Sequence, residues 1–138
     1  MGEKFKTLEG NAEEKTVAVI MSTSLGDIEM VVYPEKAPLS AGDFLNYVDR
    51  GLYQGAAFYR VVRPDNDNGT PVIETIQGGL LTETPPTKPI AHESTQQTGI
   101  KHLNGTISLA RRDVGSATAA AFFIIIGDQP SMDFGGSR

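Results

Sequence analysis

The sequence predicts a mainly β fold, an antiparallel sheet curling into a barrel, with one early helix. Three observations point there. Fifteen glycines and eight prolines in 138 residues supply turns at a density that suits short strands better than a helical bundle. Apolar residues alternate at Val17/Val19/Met21 and again at Ile28/Met30/Val32, the period of a strand with one buried face. Helical spacing of apolar residues is carried by one stretch, "PLSAGDFLNYVDRG".

Taken in order, residues 1–15 are charged and aperiodic, and are expected to form a flexible N-terminal arm. The two alternating runs that follow are joined by "TSLG", so they read as a β-hairpin, stopped by Pro34. The helix is expected near 40–50. Ser40 suits its N-cap, with Asp43 three residues on. Ala41, Phe44, Leu45 and Val48 make the buried stripe, and Gly51 supplies the stop. Further strands are expected near 57–62, 73–77, 106–110 and 121–126, six in all with the hairpin. "RPDNDNGTP" is a turn cluster, and the proline-rich stretch from Thr82 to Asn104 reads as an ordered surface loop. With no internal repeat, residues 16–138 are expected to be one domain.

Composition narrows the function. Formal net charge is −5, from 12 Lys+Arg against 17 Asp+Glu, with no basic stripe to neutralise a phosphate backbone. No nucleic-acid partner is therefore expected. The longest apolar run, from Ala119 to Ile126, is too short to span a bilayer, so no membrane partner is expected either. Cysteine is absent, which removes disulfides, thiolate zinc sites and a Cys nucleophile and fits any compartment. The N-terminus has no basic-then-apolar leader. The expected location is the cytoplasm, or the periplasm if a leader has been removed.

Most polar candidates have plain readings. His92 and His102 read as loop histidines on a solvated surface, because "HESTQ" lacks the zinc-protease spacing and no further ligands are evident; no metal is expected. The glycines of "IQGGLL" read as room for a bulge or a close backbone approach. "NGT" at Asn68 and Asn104 is a turn signal before a strand, favoured over a glycosylation acceptor. Ser22, Ser24 and Ser40 have no acid–base partner in the local pattern, so a Ser-His-Asp hydrolase has no sequence support.

"AAFYRVV" is different. By strict alternation Phe58, Arg60 and Val62 share one face, with Tyr59 and Val61 on the other, so a guanidinium sits inside an apolar strand. Arg60 is an exposed strand residue, half of a structural ion pair, or a functional cation at a pocket. Gln77, another polar group in an apolar run, and Phe123 in a later strand would complete a pocket with a few convergent polar groups.

The ordered series "APLSAGDFLNYVDRGLY", "FYRVV", "IQGG", "GTISLAR" and "FFI" resembles the cyclophilin-type peptidyl-prolyl isomerases, bacterial members above all, from about Val17 to Phe134. Each motif is weak alone; five in this order and spacing are specific. The resemblance implies an eight-stranded antiparallel barrel capped by helices, about six of whose strands are encoded here. It implies X-Pro cis/trans isomerisation without a cofactor. Amide rotation crosses a barrier of ~18–20 kcal/mol. In the twisted state the prolyl nitrogen regains a lone pair, which Arg60 would hydrogen-bond near the transition state alone. By the same resemblance Gln77 holds a substrate carbonyl, Phe123 floors the proline pocket, Met132 is a wall and Ala110 offers backbone contacts. Tyr59 stands where many relatives have histidine.

The implied partners are proline-containing peptides and unfolded protein clients. The alternative is a catalytically weak module that binds proline-containing segments. Cyclosporin-type inhibitors would be further ligands, weakened by departures from the family pattern. Glu74 replaces a pocket phenylalanine and Thr75 a methionine, while Arg111, Ala121 and Ser131 replace an asparagine, a glutamine and an aromatic residue. Ile73 is a neighbour able to slide into the pocket. Relatives continue past "DFGGSR" with further strands and a helix, so the domain reads as truncated at its C-terminus. A companion fragment or a swapped chain is expected to complete the barrel.

Overall fold

The computed structural model describes residues 4–11 as backbone, and residues 16–67, 69, 72–82, 84–111 and 115–134 in full. Two antiparallel sheets make up its β structure. The first holds β1 (Lys4–Asn11), β2 (Thr16–Thr23) and β3 (Gly26–Val32) in that order. The expected hairpin is β2–β3. Its turn is closed by Thr23, whose Oγ1 donates to the Gly26 carbonyl at 2.7 Å and accepts from Leu25 N–H at 3.1 Å. Val19, Met21, Met30 and Val32 are buried, so the alternation read from the sequence faces the core. β1 is a strand within the segment expected to be a flexible arm, pairing from Lys4 opposite Ser22 to Asn11 opposite Thr16.

Helix α1 (Pro38–Asp49) buries Ala41, Phe44, Tyr47 and Val48. Its start corrects the expectation at Ser40. The N-cap is Ala37, which has no side chain to cap with, and Ser40 lies inside the first turn. Glu93, more than fifty residues along the chain, does the capping: its carboxylate accepts from Leu39 N–H at 3.1 Å and Ser40 N–H at 2.6 Å. These are two of the donors that a helix start leaves orphaned. Asp43 faces the second sheet, where its Oδ2 accepts from Ala119 N–H at 2.8 Å. Burial pushes its carboxyl above the usual range, partly offset by that bond. The helix ends as expected. Gly51, with φ +65°, donates to Val48 and Leu52 donates to Tyr47, a Schellman closure.

The second sheet holds β4 (Ala57–Val62), β5 (Thr75–Gly79), β6 (Ile90–Ala91), β7 (Ile107–Ala110) and β8 (Ser116–Ile125). Its order is β4-β5-β8-β6, with β7 also on β8. The structure thus has eight described strands rather than six, β1 and β6 being the additions, and β8 starts at Ser116 rather than near 121. The stretch read as a surface loop carries β6 and a short helix, α2 (Thr95–Thr98), closed by a Ser94/Gln97 capping box.

The core is aromatic. Phe122 of β8 meets Phe44, Tyr53 and Phe58 edge-on, with ring centroids 6.2, 5.7 and 6.0 Å away. Tyr53 also donates its hydroxyl to the Ala119 carbonyl at 2.5 Å. Tyr53 and Asp43 together therefore pin α1 and the turn after it to one short stretch of β8. Among the described residues the two sheets do not close on each other. A cleft of about 820 Å³ lies between them, and its walls include residues 28–33 and 98–109 without a break. Successive residues of a strand point to opposite faces. A wall that uses every one of them is made by strand edges, those of β3 and β7.

Candidate active site

Pairing of β4 with β5 slips between Phe58 and Arg60. Phe58 lies opposite Gly78 and Arg60 opposite Gln77, which leaves Tyr59 as the extra residue of a β-bulge. Phe58 and Arg60 therefore face opposite sides, correcting the strict alternation that put them on one. Glycine at 78 permits the crossing: a Cβ there would stand 2.7 Å from the Phe58 ring edge.

With the bulge in place, the register brings the predicted residues into one row. Arg60 is opposite Gln77, Gln77 is opposite Phe123, and Phe123 is opposite Ser108. One residue comes from each of β4, β5, β8 and β7, on the face away from the core. The adjacent rung, Phe58, Gly78, Phe122 and Leu109, faces inward. Neighbouring strands are ~4.8 Å apart, so Arg60 and Phe123 are roughly 10 Å apart at the backbone. A long arginine side chain covers that distance.

Arg60 is exposed, and among the described residues it makes no ion pair. Gln77 and Phe123 are half-buried. Gln77 Nε2 donates to the Tyr59 hydroxyl at 3.1 Å, so the bulged tyrosine steadies the amide beside the guanidinium. On the same face, Val62, Thr75 and Ile125 form the next outer rung and are buried, as is Ile73 in the preceding loop. Glu74 is half-buried and gives its carbonyl to Ile126 N–H at 3.1 Å. Asn68 lies outside the described residues, whereas Asn104 and Gly105 form the expected turn before β7.

Met132 sits half-buried in the 3-10 turn Pro130–Met132. Ala110 ends β7 opposite Thr118, beyond an irregularity that follows Leu109. The row thus gathers Arg60, Tyr59, Gln77 and Phe123; Met132 lies in a turn whose neighbour Asp133 is tied to His102, and Ala110 stands off along β7.

His102 is the residue that local pattern missed. Its side chain is only 15% exposed, which corrects the reading of a solvated loop histidine. The imidazole lies nearly parallel to the Phe123 ring, with centroids 6.4 Å apart and planes at 11°. Nδ1 is 2.8 Å from Asp133 Oδ1, and the same oxygen accepts from His102 N–H at 2.8 Å. Burial would push the Asp133 carboxyl up. The His102 backbone and ring bonds and the nearby His102 and Lys101 charges outweigh that and hold it below the usual range. Nε2 is 3.4 Å from Ser108 Oγ. Ser108, His102 and Asp133 have the order of a hydrolase relay, yet the first link is long for an O–H···N bond and the ring is committed to Phe123. His92, by contrast, is exposed as expected. Among the described residues no three His, Cys, Asp or Glu side chains come together to hold a metal.

Comparison with known proteins adds the family. The family described as cyclophilin type peptidyl-prolyl cis-trans isomerase/CLD matches residues 18–136. Peptidyl-prolyl cis-trans isomerase A of Dickeya dadantii is 32% identical over 121 residues, 85% of this chain and 58% of the relative. The peptidyl-prolyl cis-trans isomerase of Acinetobacter baylyi is 34% identical over 114 residues, 80% of this chain and 55% of the relative. Peptidyl-prolyl cis-trans isomerase B of Escherichia coli is 31% identical over 122 residues, 86% of this chain and 68% of the relative. The chain spans little more than half the length of the first two.

Proposed function

Since the chain belongs to the cyclophilin-type peptidyl-prolyl cis-trans isomerase family, we propose that it accelerates rotation about X-Pro bonds in proline-containing peptides and unfolded protein clients. The observation that carries this reading is the single outer row of Arg60, Gln77 and Phe123. Phe123 offers an apolar floor to the proline ring, and Gln77, steadied by Tyr59, presents its amide to a neighbouring carbonyl. Arg60 donates to the prolyl nitrogen as it pyramidalises. That contact is weak while the nitrogen lone pair is delocalised and strong when it is not, so it favours the twisted state over both planar isomers. Arginine stays protonated at any working pH and needs no proton transfer.

The test is an isomerisation assay on a chromogenic proline peptide. Arg60→Ala is expected to lower kcat by roughly a hundredfold or more, the scale of one lost transition-state donor. Arg60→Lys should recover only part, because an ammonium lacks the planar fork. Wild-type activity in Arg60→Ala would refute the mechanism. Acceleration absent from the wild type, with peptide still bound, would favour the weak binding module.

A second reading concerns the open cleft. Among the described residues β3 and β7 each pair with one strand only, both line one cavity, and an edge without a partner beside an apolar core invites another strand. A companion segment or a second copy of the chain inserting there would complete the barrel. Glu74 and Ser131, polar where relatives carry apolar pocket residues, argue for weak cyclosporin-type binding. Among the described residues no helix is long and apolar enough to cross a membrane.

A further inference from the structure

We infer that His102 is a positioning residue for the proline pocket, coupling the Phe123 floor to the turn that carries Met132. The inference rests on the isomerase reading above. His102 touches the segment 129–133 three times: its carbonyl accepts from Gln129 N–H at 2.8 Å, while its N–H and Nδ1 both reach Asp133 Oδ1 at 2.8 Å. Met132 lies between those two anchor residues and bonds through its own N–H to the Gln129 carbonyl at 3.1 Å. The other half of His102 belongs to the floor. Its ring is stacked against Phe123 and its Nε2 faces Ser108, the row neighbour of Phe123 on the side away from Gln77. One imidazole therefore joins the wall to the floor.

The ring's orientation follows from its partners. With Asp133 ionised, Nδ1 carries a hydrogen toward the carboxylate, while Nε2 faces Ser108 Oγ at 3.4 Å. The carboxylate fixes the ring plane, and the ring plane limits how far Phe123 can turn. Phe123 would hold proline alike in the cis, trans and twisted states. Loosening it weakens binding of all three, which raises KM and leaves kcat near its starting value. Loss of Arg60 does the reverse.

Kinetics of His102→Ala, His102→Phe and Asp133→Asn on one proline peptide test this, together with the NMR shifts of the Phe123 ring protons. In His102→Ala, KM should rise roughly tenfold, the scale of one lost aromatic contact, with kcat within about twofold. The Phe123 ring shifts should move as the stacked imidazole disappears. His102→Phe keeps a flat ring without the carboxylate, and Asp133→Asn keeps the ring with a weaker grip; both should lie between. If His102→Ala does not fold, these two variants carry the test. An unchanged KM in the folded variants, or a fall in kcat at constant KM, overturns the role. An inactive wild type would instead overturn the isomerase reading. Phe123 shifts that move in the variants while peptide affinity drops would still uphold the positioning of the floor.

Discussion

Glu93→Ala should loosen the start of α1 from a distance. The carboxylate is the side-chain acceptor for Leu39 and Ser40 N–H, at 3.1 and 2.6 Å, at a helix start whose N-cap residue makes no side-chain bond of its own. Losing a capping side chain typically costs ~0.5–2 kcal/mol, and losing a negative charge at a helix N-terminus ~0.3–1 kcal/mol more. Glu93 is half-buried, so the electrostatic part is screened, and about 2 kcal/mol is the expected total. A chain of 138 residues loses roughly 3–4 °C of Tm per kcal/mol. The drop should therefore be about 7 °C in a circular-dichroism melt. Glu93→Gln keeps an acceptor without the charge and should lose less than half of that. Hydrogen exchange localises the effect: the Leu39 and Ser40 amides should lose protection in Glu93→Ala while Tyr47 and Val48 keep theirs. An unchanged Tm with both amides still protected would refute the reasoning, since another group would then have to cap the helix.

Two further outcomes follow from the same geometry. Asp133→Asn should cost stability at pH 7, with the gap to wild type closing as pH falls. Asp133 is held below its ordinary 3.8, so its contribution is present above that value and is lost as pH falls through the lower folded-state value. Asp43 has the opposite sign but is common to both proteins and cancels. Urea midpoints at pH 7 and pH 3 check this, and a gap of constant size would contradict it. Gly78→Ala should destabilise by about 1–3 kcal/mol, because the new methyl would meet the Phe58 ring at 2.7 Å and the Ala57 carbonyl at 3.2 Å. A variant as stable as wild type in urea would show that the bulge tolerates a side chain there.

Much of the fold was legible because its signals are local. The β2–β3 alternation and the Gly51 stop depend on residues within a turn or two of one another and appear as read. The α1 stripe does so at Ala41, Phe44 and Val48, while Tyr47 is buried where Leu45 was expected and Leu45 is half-buried. What was hidden depends on partners far along the chain. Ser40 looks like an N-cap until Glu93 arrives from more than fifty residues away, and no nearby pattern announces that. β6 is two residues long and exists only because β8 starts early enough to pair with it. The site was legible in composition and misread in parity. Arg60, Gln77 and Phe123 were picked out as polar or aromatic intrusions, but a one-residue bulge changes which neighbours Arg60 faces. His102 gave no signal at all. A histidine becomes a brace only through its surroundings, and Asp133, Phe123 and Ser108 lie in three other places in the sequence.

Phe122 and Phe123 are consecutive, one turned to the core and the other to the outer row. The floor of the groove and the centre of the hydrophobic interior are thus two sides of a single stretch of backbone. Displacing the backbone of the floor means dragging Phe122 out from among Phe44, Tyr53 and Phe58, so the floor keeps its place and only the Phe123 ring, braced by His102, is left to turn. Accommodation of different sequences around a proline must then be borne by the periphery, by the exposed arginine at one end of the groove and the short turn at the other. The groove behaves as an anvil with adjustable jaws, and a substrate meets a surface whose stiffness changes from one end to the other.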